Sequence, residues 1–195
     1  MKLDIILSGV GGQGILSIAA IIGEAALSEG LYIKQAEVHG MSQRGGDVQS
    51  NLRISSTEIY SDLIAKGTAN AIISLEPMEA LRYIPYLSKE GWIVTNSAPF
   101  VNIPNYPNLE DIYGELDELP NVIMIDVDTI AKEAGSVRMA NMVLLGAASS
   151  ILGMEKNKLE DAIARIFARK GDAVVEVNIK AFRMGMEEGE KQIKK

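Results

Sequence analysis

An apolar run, a glycine turn and a stretch of helical spacing follow one another at the start of this chain and narrow its fold more than any other segment. Leu3 to Ser8 is continuous and of strand length, with only Asp4 interrupting it. That is the pattern of a strand buried on both faces in a parallel sheet. Gly9 to Gly14 breaks the run, and Ile15 to Leu27 carries apolar residues at helical spacing, with Gly30 placed to close the helix. Strand, turn and helix in that order open a βαβ unit, which commits the chain to layered α/β architecture.

Tyr32 to Val38 reads as a second strand. From Asp47 the residues alternate, with Val48, Ser50, Leu52 and Ile54 on one parity and Asp47, Gln49, Asn51 and Arg53 on the other. The alternation predicts a half-exposed antiparallel strand, paired with Thr57 to Tyr60 across a Ser55-Ser56 turn. Ala71 to Leu75, Trp92 to Asn96 and Val122 to Val127 read as further buried strands. Pro77 suits the first turn of a helix over Met78 to Leu87, and Asp128 is a candidate cap for the helix after Val127. Between Pro99 and Pro120 the chain makes a surface excursion with a short helix over Leu109 to Leu116. Helices then follow over Met139 to Leu152, Leu159 to Phe167 and Val174 to Met186, and Glu187 to Lys195 is expected to fray. The expected fold is α/β: a three-layer, Rossmann-like, mostly parallel sheet with a β-hairpin insertion and a helical C-terminal third, in one domain spanning 1–195.

Composition removes whole classes of function. The chain has no cysteine, which excludes disulfides, thiolate catalysis and any iron–sulfur cluster ligated by these residues. A single histidine makes a self-contained zinc or non-haem iron site a poor fit. A net charge of −7 argues against nucleic acid as a partner. The longest apolar stretch, Met139 to Gly153, is too short and too interrupted to span a bilayer. No signal-peptide pattern precedes the first strand, so a soluble, cytoplasmic protein is expected.

Gly9, Gly11 and Gly14, with Gly12 and Gln13 between them, satisfy G-x-G-x-x-G between a strand and a helix. One reading is a dinucleotide site, with backbone N–H groups and a helix N-terminus aimed at phosphate and Glu37 as the acid at the end of the second strand. The other is a turn that lets strand and helix pack closely, or that admits an anion or a partner's backbone.

The segment His39-Gly40-Met41-Ser42-Gln43-Arg44-Gly45-Gly46 is too polar and too rich in glycine to serve packing alone. Its glycines permit close approach to the main chain. His39 could act as a general base near neutral pH, but it has no fixed carboxylate or nucleophile partner in the sequence, so an interface hydrogen bond is the better reading. Arg44 can grip a carboxylate or phosphate with its planar fork, or anchor a protein interface. Asn178, Ala181, Phe182 and Gly185 share one face of the last helix and read as packing. Asn141 is a buried-amide candidate that must find partners.

Taken together, Gly9-Val10-Gly11-Gly12-Gln13-Gly14, Arg44-Gly45-Gly46 leading to Arg53, Asn141 with Leu145-Gly146, and Asn178 with Ala181-Phe182-Gly185 resemble the gamma-type domain of 2-oxoacid:ferredoxin oxidoreductases. The His39 to Gly46 variant is most similar to the small (beta) subunit of the indolepyruvate enzymes. The resemblance implies a non-cluster subunit of an enzyme that oxidatively decarboxylates a 2-oxoacid, with coenzyme A collecting the acyl group. Thiamine diphosphate, Mg²⁺ and the iron–sulfur clusters would belong to a large partner subunit, which passes electrons to ferredoxin. Gly9 to Gly14 and Ser42 to Gly46 would then stand on the active-site wall. Gln13 and Arg44 would touch a polar ligand group or the partner, while His39 and Ser42 would order the loop or hydrogen-bond across the interface. A free-standing NAD(P) dehydrogenase and a subunit that serves assembly alone are the rivals. An isolated copy would expose its contact face and could pair with itself.

Overall fold

The computed structural model describes residues 1–39 and 45–193. Six strands form one sheet: β1 (Lys2–Val10), β2 (Tyr32–His39), β3 (Asp47–Ser55), β4 (Ala69–Ser74), β5 (Leu87–Asn96) and β6 (Val122–Ile125). Their spatial order is β2-β3-β1-β4-β5-β6. β1, β4, β5 and β6 run parallel, while β3 runs antiparallel to both of its neighbours. The helices are α1 (Ile15–Ser28), α2 (Pro77–Arg82), α3 (Leu109–Asp117), α4 (Val127–Ala134), α5 (Ala140–Ala148), α6 (Lys156–Phe167) and α7 (Asp172–Ile193).

Two cores make the three layers. Leu3, Ile5 and Leu7 of β1 face one way, into a large cluster with α1 and α4 to α7. Ile6, between them, faces the other way with Ile72 and Ile93, under α2 and α3. The period of two along a strand thus sends apolar residues to both faces. Ile15, Ile18, Ala19, Ile22, Ala25 and Ala26 are buried along one side of α1, the stripe that its spacing predicts.

Several local expectations are corrected. The hairpin partner of β3 is β2, not Thr57 to Tyr60, which form no strand. β3 lies between β2 and β1, and although Asp47 at its start is exposed, several of its polar side chains are partnered. Arg53 meets Asp4, Asn51 Oδ1 accepts from Ile64 N–H at 3.2 Å, and Ser50 pairs with Gln35. α2 stops at Arg82 rather than Leu87, because Pro85 has no N–H to continue it and its ring would strike the carbonyl of Leu81. Asp126, not Asp128, caps α4, accepting from Thr129 N–H at 2.9 Å. α7 does not fray at Glu187 but continues to Ile193.

Candidate functional site

The chain leaves β1 toward β2 on one side, then returns across β1 to β4 on the other. Open α/β sheets bind ligands at the carboxyl ends of the strands beside such a switch point. The Gly9 to Gly14 turn occupies it. Gly9 and Gly14 both have positive φ, at 153° and 91°. A Cβ on Gly14 would also lie 2.7 Å from Asn141 Nδ2, so no other residue fits without displacing that amide. Asn141 in turn donates to the Gly14 carbonyl at 3.2 Å, which gives the buried amide its partner and pins α5 to the turn.

Gln13 laces the switch point shut from inside. Its Oε1 accepts from Val10 N–H at 2.7 Å and its Nε2 donates to the Leu75 carbonyl at 3.1 Å. The turn also continues the β1–β3 ladder, for Gly11 N–H donates to the Gly46 carbonyl at 2.8 Å and Gly45 N–H to the Gly11 carbonyl at 3.4 Å. Gly9, Gly11, Gly12, Gln13, Gly14, Gly45 and Gly46 therefore form one contiguous structure. His39 ends β2 opposite Val48. Gly40, Met41, Ser42, Gln43 and Arg44 lie outside the described residues.

Two open cavities flank the turn. One, of about 400 Å³, lies toward β2 and is walled by Val10, Gly12, Ile15, Leu16, Glu37 and Val48. The other, of about 390 Å³, lies toward β5 and brings together Gln13, Asn96, Phe100, Asp128, Arg138 and Asn141. Gly12 and Gly14 belong to both. Glu37 thus shares a cavity with the turn, although β3 separates its strand from β1 by two strand spacings, roughly 9–10 Å.

The second cavity holds residues that motif reading missed. Asn96, at the end of β5, accepts from Ala98 N–H and Val127 N–H at 3.2 Å each and donates to Asp128 at 3.3 Å. Asp128 is thereby a cavity residue rather than a cap. The strap from Ser97 to Asn108 forms the outer rim, and Asn102 Nδ2 reaches across it to the Gly45 carbonyl at 2.8 Å. A buried asparagine closing an apolar strand was the available signal for Asn96. Phe100 and Arg138 offered none.

Beneath the strap, Glu76 is fully buried. Burial pushes its carboxyl above the ordinary carboxylate range, against the opposing pull of donors from Tyr106, Glu79 and Phe100. Among the described residues, no group of three or more His, Cys, Asp or Glu is arranged to hold a metal ion. None of the described helices is long and apolar enough to cross a membrane.

These features define a class: an α/β domain with a laced switch point and open cavities around a glycine turn, lacking any cysteine to hold a redox cluster. Within that class, the chain belongs to the pyruvate ferredoxin/flavodoxin oxidoreductase family, whose pattern matches residues 4–188. It is 39% identical to indolepyruvate oxidoreductase subunit IorB of Archaeoglobus fulgidus, over 95% of this chain and 94% of that one. The keto/oxoacid ferredoxin oxidoreductase gamma subunit of Geobacter sulfurreducens superposes with a TM-score of 0.70 at 28% identity, covering 97% of this chain and 99% of that one. The fold also recurs, at 24% identity and a TM-score of 0.75, in a 2-oxoglutarate:ferredoxin oxidoreductase from Magnetococcus marinus. This chain covers 97% of its own length there but 31% of the longer one. The Magnetococcus structure is described with 2-oxoglutarate, coenzyme A and succinyl-CoA bound.

Proposed function

We propose that this chain is, as a single domain, the small non-cluster subunit of a cytoplasmic 2-oxoacid:ferredoxin oxidoreductase of the indolepyruvate type. The observation that carries the reading is the match, along nearly the whole of both chains, to a subunit named for indolepyruvate. Family membership also decides against the free-standing nicotinamide dehydrogenase as an account of the glycine turn.

The residues here do not fit a cluster, since cysteine is absent, and the acidic residues described form no metal-holding group. No step of the reaction is therefore assigned to a cofactor on this chain. A large partner subunit would carry thiamine diphosphate, Mg²⁺ and the iron–sulfur clusters, and would pass electrons to ferredoxin. Our reading gives this chain a wall of the site, built from the Gly9–Gly14 turn and the Ser42–Gly46 loop, where a 2-oxoacid or coenzyme A enters. Arg44 would offer a planar fork to a carboxylate, to a phosphate or to the partner, Gln43 would contact ligand or partner beside it, and His39 and Ser42 would order the loop or hydrogen-bond across the interface. Gln13 would act from behind, since both ends of its amide already hold the chain's own backbone. The isolated chain, with Leu16, Phe100, Val101 and Val137 exposed near the cavities, would pair with itself when no partner is present.

The test is Arg44→Ala in the complex reconstituted with the large subunit. On this reading association persists, while turnover with coenzyme A falls about tenfold or more. Normal association with normal turnover would leave the chain an assembly subunit only.

A further inference from the structure

We propose that Glu76 is a positioning residue for the reaction: its buried carboxylate fixes the Ser97–Asn108 strap, and through Asn102 the Gly45 end of the glycine loop, in the arrangement that binds coenzyme A. The proposal rests on the wall reading above and extends it to a residue outside the wall.

The geometry begins with a helix cap. Glu76 follows β4, and Pro77 opens α2. Its Oε2 accepts from Glu79 N–H at 2.8 Å, as an N-cap side chain should. Asp, Asn, Ser or Thr would cap the helix equally well with a shorter side chain. The extra length of Glu76 frees its second oxygen for the strap, where Oε1 accepts from Phe100 N–H at 3.3 Å and from the Tyr106 hydroxyl. These two donors sit 24 and 30 residues further along the chain, at either side of the strap's crest.

The carboxylate thus joins the floor of the switch point to its rim. The strap is tethered again where Tyr113 O–H donates to the Ser97 carbonyl at 2.7 Å. From its crest, Asn102 Nδ2 holds the Gly45 carbonyl, next to the Gly46 carbonyl that receives Gly11 N–H. Among the described residues, Asn102 Oδ1 is buried without a partner, a cost consistent with a strap set by its anchors rather than by Asn102's own preferences. Glu76 reaches the glycine turn by this route without touching it. Its ionised form suits the role, because three donors converge on two oxygens and an amide could satisfy only one side.

Glu76→Asp separates capping from anchoring, since it can keep the cap while its oxygens draw back from the strap. Tyr106→Phe removes one anchor and leaves Glu76 in place. In the isolated chain, both variants should speed amide hydrogen exchange about tenfold at 97–103 and at Gly45 and Gly46, with α2 protection unchanged. In the reconstituted complex, both should raise KM for coenzyme A about fivefold with kcat within about twofold. Unchanged exchange in the strap overturns the anchoring. A loosened strap with unchanged KM, or a loss of kcat in step with the loss of folded protein, overturns the positioning role. Should the wild-type chain fail to form an active complex, the functional reading falls, and with it the positioning role; the exchange data then decide the anchoring alone.

Discussion

Gln192 closes the β6 edge of the sheet by pairing with Met124 on both sides. Its Oε1 accepts from Met124 N–H at 2.9 Å and its Nε2 donates to the Met124 carbonyl at 2.7 Å. The side-chain amide imitates a neighbouring strand and covers polar groups that would otherwise invite edge pairing. This contact gives the last turns of α7 a reason to stay folded. Gln192→Ala should cost about 1–2 kcal/mol in urea unfolding, with faster hydrogen exchange at Met124 as the local sign.

α5 and α7 pack with their backbones almost in contact. A Cβ on Gly146 would strike the Phe182 carbonyl oxygen, and one on Gly185 would strike that of Val143. Neither backbone can yield without moving a helix. Gly146→Ala and Gly185→Ala should each destabilise the chain by roughly 3 kcal/mol or more, read from denaturant midpoints. Gly153→Ala serves as a control for open space, since nothing lies near its Cβ position, although its φ of 65° adds a small backbone cost.

Asp4 is buried, and Arg53 grips it with two hydrogen bonds, at 2.7 and 3.2 Å. Arg53 also holds the Ser61 and Leu63 carbonyls at 2.9 and 3.2 Å, so it fastens the crossover that leads toward β4. Arg53→Met leaves the buried carboxylate with the exposed Lys2 ammonium, 3.5 Å away, in place of its bidentate partner, and should cost about 3 kcal/mol. Pairing it with Asp4→Leu should recover much of that loss. An unimproved double variant would show that the carbonyl contacts, rather than the ion pair, dominate.

The Asp126 cap predicts a pH dependence of known sign. Hydrogen bonds from Thr129, the backbone N–H first, hold its carboxyl below the ordinary value of 3.8. A group whose folded pKa is depressed contributes stability above its unfolded pKa and loses it as pH falls through the folded one. Asp126→Ala should therefore cost about 1 kcal/mol at pH 7, and the gap should close as pH drops below 3.8. Glu76 has the opposite sign: its raised pKa makes ionisation a cost that grows as pH climbs past 4.5.

Local patterns with one dominant period were legible in the sequence. Leu3 to Ser8 and Ile15 to Leu27 became β1 and α1, and Pro77 opens its helix as its fixed φ suggests. The Asp47 to Arg53 alternation gave a strand but the wrong neighbour, because alternation reports which face a side chain takes and not which strand lies alongside. Asp126 and Asp128 stand two positions apart at a helix start, and only the backbone angles of the entry turn decide which one caps. The glycine turn of the site was legible as a contiguous motif. The crevice beside it was not, since Asn96, Phe100, Asp128 and Arg138 are single residues delivered by separate elements. Glu76 hid for a further reason: its second oxygen works on partners 24 and 30 residues away.

On the proposed reading, this polypeptide completes an active site whose redox groups another chain carries. The direct measurement is coenzyme A-dependent reduction of ferredoxin by an aryl-pyruvate, assayed with the purified chain alone and again with the large subunit added. The chain alone should give no turnover, and mixing with the large subunit should start it. Oxidation of any 2-oxoacid by the purified chain without a companion would contradict it.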